Sequence, residues 1–415
     1  MNPFKFISGL LLFISIGSAF GQPININWPE VKDSINLVDT HSRPVEFQNK
    51  QIFSFPGIGV GVRNDFTSAR LNKLVLVNDS TLSGWITPEN FPINMSPWYA
   101  FKIWADTEKD IYIKLNYKHG RHRYIPRLSK DGQSWAQIDL ADLYTGMEDT
   151  TGFFKLHINQ DTLWVSGQEI MSSSSAYQWI ESLSQKPFIK SQVFGKSTQG
   201  RPLKAISISE SDESNLLVIL SRQHPPELTG YKEMISFVET IAGESKQAKK
   251  FRKKFKVIVV PMMNPDGVDN GHWRHCAGGI DLNRDWRHFN QPETFAFRKF
   301  ILEEIEKNNA QVRYGIDFHS TYIDLFYINP KDSLQLDKGI SMTFINAINK
   351  KIPDNHFEPV PSGIEGQNSS NWFLHELGVE AITYEVGDNT DRKIIQKRGE
   401  IAALALMKIL RKKYK

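Results

Sequence analysis

His224-Pro225-Pro226-Glu227 sets an imidazole and a carboxylate three residues apart, close enough to reach one ion. Nitrogen plus carboxylate oxygen is a ligand chemistry that suits zinc. Position adds weight. The motif begins three residues after an apolar strand expected at 215–221 and opens a helix expected at 228–241. Open α/β sheets place their ligand sites at such strand ends. His319 directly follows the stretch Gly315-Ile316-Asp317-Phe318, within a strand expected at 313–318. Alone, such a histidine reads more readily as a hydrogen-bonded residue beneath a loop than as a ligand. Joined to His224 and Glu227, it completes a His₂Glu set with one coordination position open, the pattern of a catalytic zinc site.

Between these groups lies a long segment rich in turn residues: Asn264-Pro265-Asp266-Gly267, then Gly271-His272-Trp273-Arg274, then Gly279-Ile280-Asp281-Leu282-Asn283-Arg284-Asp285-Trp286. It follows a buried strand expected at 255–262, and long ordered loops are usually functional. Arg274, Asn283 and Arg284 are suited to hold a carboxylate and a developing oxyanion, although arginines are more often plain surface residues. Glu385 ends an apolar strand expected at 380–384. A carboxylate there is costly to bury unless paired or used. It is either a salt-bridged edge residue or a general base beside a metal-bound water. Four clusters at strand carboxyl ends favour the joint reading, a hydrolytic metal centre.

The elements that must position these groups divide the chain near the serine run 172–175. Upstream, short period-two segments at 74–77, 99–104 and 111–115, separated by Asn, Asp, Ser, Gly and Pro clusters, predict an all-β sandwich domain over 22–170. Its aromatics, Trp85 and Trp98 among them, fit core packing better than carbohydrate binding. Downstream, over 175–415, strands alternate with helices expected at 228–241, 294–307, 336–350 and 391–412. That alternation predicts an α/β domain with a mixed, largely parallel buried sheet.

Composition narrows the function classes. With 40% hydrophobic and 23% charged residues the 415-residue chain is too apolar for disorder. Fifty basic against 46 acidic residues leave a net charge of +4, too little to support nucleic-acid binding. The basic run 249–256 reads as one solvated face. Lys5, the apolar run 6–16 and Ala19-Phe20-Gly21 predict a signal peptide over 1–21, cut near Gly21 and Gln22, and hence a secreted or periplasmic protein. No other apolar run approaches membrane-spanning length. The single cysteine, Cys276, excludes an intramolecular disulfide and reads as structural. Oligomeric state is not legible.

The His-x-x-Glu, Asn-Pro-Asp-Gly, Asp-x-Asn-Arg, late His-Ser and Glu-x-x-Asp elements, in this order, resemble the zinc metallocarboxypeptidase family over about 175–415. Gly200-Arg201-Pro202 is similar to the segment that precedes the family's zinc motif. The upstream part resembles, more loosely, the β-sandwich domain of cytosolic-type carboxypeptidases, from whose setting the export signal departs. The resemblance implies a carboxypeptidase-like α/β/α fold and a single zinc ion held by His224, Glu227 and His319. It further implies Glu385 as general base and acid, and Arg274 as oxyanion donor. Asn283 and Arg284 would hold the terminal carboxylate of a peptide, and Asp281 would orient His224. The family's substrate-capping tyrosine falls on Gly363. Glu365, Ser369 and Ser370 lie where the specificity pocket is expected, with Glu365 able to favour a basic side chain. A zinc amidase acting on cell-wall peptides, or a catalytically dead peptide-binding module, are the competing readings.

Overall fold

The computed structural model describes residues 37–211, 214–329, 339–352 and 356–414, so the segment expected to be a signal peptide lies outside the described residues. Ten strands come first: β1 (Ile52–Phe55), β2 (Val60–Arg63), β3 (Lys73–Asn78), β4 (Thr81–Ile86), β5 (Ala100–Ala105), β6 (Lys109–Tyr117), β7 (Arg127–Ser129), β8 (Ala136–Gln137), β9 (Thr151–Ile158) and β10 (Leu163–Ser166). They form a six-stranded sheet, β1-β2-β5-β10-β7-β8, and a four-stranded sheet, β3-β4-β6-β9. Alternation explains how the two sheets meet. On β6, Ile111, Ile113 and Leu115 are buried while Lys114 between them is exposed. Those three share one core with Val62, Phe101, Ile103 and Val165 of the other sheet. Trp98 is buried in the same core, as its pattern predicts.

Next come α1 (Ser173–Leu183), β11 (Ile189–Lys196), β12 (Pro202–Ile208), β13 (Asn215–Ser221), α2 (Leu228–Ile241), α3 (Lys246–Arg252), β14 (Lys256–Val260) and α4 (Pro265–Asn270). They are followed by α5 (Pro292–Lys307), β15 (Gln311–Thr321), β16 (Leu325–Ile328), α6 (Ile340–Asn349), β17 (Pro359–Pro361), α7 (Ser369–Leu377), β18 (Ala381–Gly387) and α8 (Arg392–Lys413). The eight-stranded sheet runs β11-β12-β14-β13-β15-β18-β16-β17. Its centre, β14-β13-β15-β18, is parallel. The β11-β12-β14 side and the β18-β16 pair are antiparallel. Both faces are covered, which is why β13 is a nearly unbroken apolar run. Leu217 and Ile219 face a core with α2, α6 and α8, whereas Leu216, Val218 and Leu220 face one with α5 and α7.

The serine run has a structural role: Ser172 caps α1 by accepting the Ser175 N–H, because hydroxyls satisfy the orphan donors of a first helical turn. One local expectation needs correction. The basic run is not one solvated face. Arg252 is fully buried, donating to Glu210 and to the carbonyls of Ile241 and Gly243 at the end of α2. Among the described residues no helix is long and apolar enough to cross a membrane.

The strand-rich layer and the large sheet interlock. Trp273, from the loop after α4, is buried in the sandwich core. Arg123 meets Asp388 at 2.8 Å, both buried, and Glu169 meets Arg392 at 2.8 Å. Burial would raise the Glu169 carboxyl, but its bond to Arg392 and the charges of Arg392, Lys232 and Arg127 outweigh that and hold it at about 2.

Candidate active site

The chain leaves β13 at Ser221, and Arg222 takes a left-handed φ of 56° that turns it sharply across the sheet top. His224 and Glu227 follow, with Glu227 at the N-terminal cap of α2. The helix lies unusually close to β15. A Cβ on Gly230 would stand 2.1 Å from the His319 carbonyl oxygen, so only glycine fits. The Gly230 N–H donates to Ser320 Oγ at 2.9 Å, which pins the helix start to the strand that carries His319.

His224, Glu227 and His319 converge: their ligand atoms all lie within 4.8 Å of one another, and all three are buried. The Nδ1 atoms of His224 and His319 stand 2.7 and 2.6 Å from the two Glu227 oxygens. Each far nitrogen is held by another carboxylate, His224 Nε2 by Asp281 at 2.8 Å and His319 Nε2 by Asp317 at 2.8 Å. Burial opposes charge at both His319 and Glu227. Even so, Asp317 and Glu227 hold the His319 imidazole well above its ordinary range, and the two histidines hold Glu227 well below its own. This donor set fits a divalent ion such as zinc: two imidazoles fixed by outer carboxylates, and one carboxylate between them.

Asp281 is the carboxylate beside His224. Asp317 was missed as a partner of His319, although period two along a strand puts residues i and i+2 on one face. Its Oδ2 also accepts from Gln223 at 2.5 Å and from the Ser369 hydroxyl. Asp317→Asn should weaken metal binding by roughly 10–100-fold, read by competition with a calibrated chelator. Unaltered affinity would mean the contact does not orient His319.

The loop after β14 is less irregular than expected. Asn264 caps α4, with Pro265 in its first turn and Gly271 closing it, so Asn-Pro-Asp-Gly is a short helix start. Asp281 caps a tight turn spanning Leu282–Arg284 by accepting the Asn283 N–H. Its Oδ2 also accepts Arg274 Nε at 2.7 Å, which ties the arginine to the partner of His224. Asn283 Oδ1 accepts the Ser369 N–H, and half-buried Arg284 donates to the Asn283 carbonyl. Glu385 pairs in register with His319 across β15 and β18, inside its strand rather than beyond it. Glu385 Oε2 is shielded and has no hydrogen-bond partner among the described residues. Burial, with Glu227's charge in support, pushes the Glu385 carboxyl up to about 8 against the pull of His319, Arg274 and Arg123.

Seven of the eight residues singled out, Asp281 being the exception behind Arg274, line one cleft of about 730 Å³. Gly363 lines it too, in open space, while Tyr322 and Tyr327 supply the tyrosines there. Asn368, Ser362 and Thr383 give the same cleft uncharged polar walls. Glu365, Ser369 and Ser370 do not line it: both serines are buried, with their hydroxyls bonded to Asp317 and Asn368. The sequence also gave no hint that Asn94, Met95, Arg123 and Glu148 of the strand-rich layer form one wall. Cys276 is buried and donates to Gln291, a structural thiol as expected.

Residues 176–405, more than half of the chain, match the zinc carboxypeptidase family. Cytosolic carboxypeptidase 6 of Caenorhabditis elegans is 23% identical over 287 residues, covering 61% of this chain and 61% of that protein. Cytosolic carboxypeptidase 3 of Mus musculus is 26% identical over 296 residues, covering 63% of this chain and 29% of that protein. The chain thus spans less than two thirds of the length of these relatives. Among solved structures, a metallo-carboxypeptidase from Burkholderia cenocepacia superposes with a TM-score of 0.71 at 17% identity, over 85% of this chain and 99% of that one. The Pseudomonas aeruginosa metallo-carboxypeptidase, solved with (2-guanidinoethylmercapto)succinic acid, superposes at 0.68 and 18% identity, over 85% and 100%. At such identities the likeness is one of fold, and it extends beyond the α/β half of the chain. The matched residues contain the converging His224, Glu227 and His319, and the chain belongs to the zinc carboxypeptidase family.

Proposed function

We propose that this chain is a zinc-dependent metallocarboxypeptidase that hydrolyses the C-terminal amide bond of exported or extracellular peptides. The observation that carries the reading is the His224-Glu227-His319 convergence in a cleft that Glu385, Arg274 and Arg284 also line. Zinc, when bound, supplies Lewis-acid polarisation of the scissile carbonyl and acidifies a water. Glu385 would accept a proton from the attacking water and pass it to the leaving amine. Arg274, held by Asp281, meets negative charge that appears on the carbonyl oxygen only in the transition state. Arg284, with Asn283, selects a free terminal carboxylate, because a planar guanidinium matches it bidentately. One ion per chain is part of this reading, supported by the one His/Glu group of ligand geometry among the described residues.

Export is supported by Lys5, the apolar run 6–16 and Ala19-Phe20-Gly21. The word cytosolic in the relatives' names is said of those proteins. The test uses peptides with a free or an amidated C-terminus, with and without chelator, beside cell-wall muropeptides. Free peptides should shorten one residue at a time, amidated ones should react at least about 10²-fold more slowly, and chelation should stop the reaction. Equal rates on amidated peptides, or preference for muropeptides, would sink the reading.

A further inference from the structure

We infer that Glu89, from the strand-rich layer, is a positioning residue for Arg274 and that the sandwich is therefore a working part of the catalytic centre. The inference rests on the oxyanion role proposed for Arg274. Glu89 follows β4 and is fully buried. Its carboxylate accepts three successive backbone N–H groups of the catalytic loop: Trp273 at 2.7 Å on Oε2, Arg274 at 3.0 Å and His275 at 2.6 Å on Oε1. Those residues lie outside any helix or strand, so no ladder satisfies their donors. Successive N–H groups that point into one concavity make an anion site, and here the anion is a side chain from the other layer.

Burial alone would push the Glu89 carboxyl up. Its neighbours His272, Arg70 and His275, together with the Trp273 N–H, hold it below its usual range. Burial lowers both imidazoles, His272 to about 4, so near neutral pH the Arg70 charge and the N–H donors are what keep Glu89 an acceptor. The grip is broader than one residue. Asn90 receives His275 Nδ1 at 2.6 Å and donates to the Gly279 carbonyl at 2.8 Å. Arg70 donates to the Gly271 carbonyl, and a Cβ on Gly271 would stand 2.5 Å from the Ala69 oxygen. Trp273 is locked in the sandwich core, so the next side chain is turned towards the cleft, where Arg274 reaches Asp281. Glu89 fixes where the Arg274 backbone starts, and Asp281 fixes where its guanidinium ends.

The experiment compares full-length, zinc-loaded Glu89→Gln, Glu89→Asp and Arg274→Ala with the double variant Glu89→Gln/Arg274→Ala. Glutamine keeps the shape, but it has one acceptor oxygen and brings an amide NH₂ against the three donors. Expected for Glu89→Gln is a fall in kcat of roughly 10–100-fold, part of the ~10²–10³-fold cost of deleting an oxyanion donor. KM should change less than about twofold, because Arg274 acts on charge absent from the ground state. Zinc content should be unchanged. On the Arg274→Ala background the Gln change should cost nothing further, since the two act as one unit. If Glu89→Gln does not fold, Glu89→Asp decides, and it should lower kcat without moving KM. A parental kcat in the folded Gln or Asp variant, or additive losses in the cycle, overturns the inference. An Arg274→Ala enzyme at full rate would instead overturn the proposed role of Arg274.

Discussion

Glu385→Gln is expected to bind zinc as the parent does and to lose turnover by roughly 10²–10⁴-fold, the range for removing a positioned general base and acid. The reasoning is geometric first. Glu385 is the cross-strand neighbour of His319 but stands outside the trio that shares the ion, so its amide leaves the ligand set whole. Its Oε2 has no hydrogen-bond partner among the described residues, which leaves it available to a water proton. The pH profile supplies a second readout. Burial pushes this carboxyl up to about 8, towards its neutral form. A bound dication nearby favours the charged form and draws the value down. The zinc-loaded enzyme should therefore gain activity as pH rises through a pKa below 8, and Glu385→Gln should lack that acid limb. A Gln variant with near-parental kcat and an intact limb would falsify the assignment.

His224→Ala is expected to purify without stoichiometric zinc and without activity. Sharing the roughly 10–16 kcal/mol of a four-ligand zinc site evenly gives about 3 kcal/mol per ligand, beyond 10²-fold in affinity. Here the loss compounds. His224 is wedged between Glu227 and Asp281, 2.7 and 2.8 Å away. Its removal takes one partner from each of two buried carboxylates, leaving Glu227 to His319 and Asp281 to Arg274 and the Asn283 N–H, and such a loss in a buried site costs more than losing an exposed contact. Metal analysis after dialysis, beside circular dichroism for the fold, decides the matter. One zinc per chain in this variant would remove His224 from the ligand set.

How much of this was legible depends on the range of the interaction. β13 and α2 were readable to the residue because burial on both faces makes one continuously apolar and burial on one face makes the other periodic. His224, Glu227, His319 and Glu385, which line one cleft, could be singled out because candidate ligands and bases come from few residue types and lie at strand ends. α7 was not, since it begins with Ser369-Ser370-Asn371, poor helix formers held by the Asn368 cap and by burial. Arg252 was misread because its partners, Glu210 and the end of α2, are set by tertiary packing alone. Glu89 and Arg123 were invisible for the same reason. Nothing adjacent to either in the chain distinguishes them from ordinary surface charges, and their partners lie about 185 and 265 residues away.

The seating of Trp273 in the sandwich core bears on how such a protein could be regulated after synthesis. In many secreted hydrolases an upstream portion is a removable guard, and clipping it switches the enzyme on. Here clipping would leave an indole bare to water, strip Asp388 of Arg123 and slacken the loop that bears Arg274. Limited digestion upstream of α1 should therefore abolish the proposed peptide hydrolysis, not raise it.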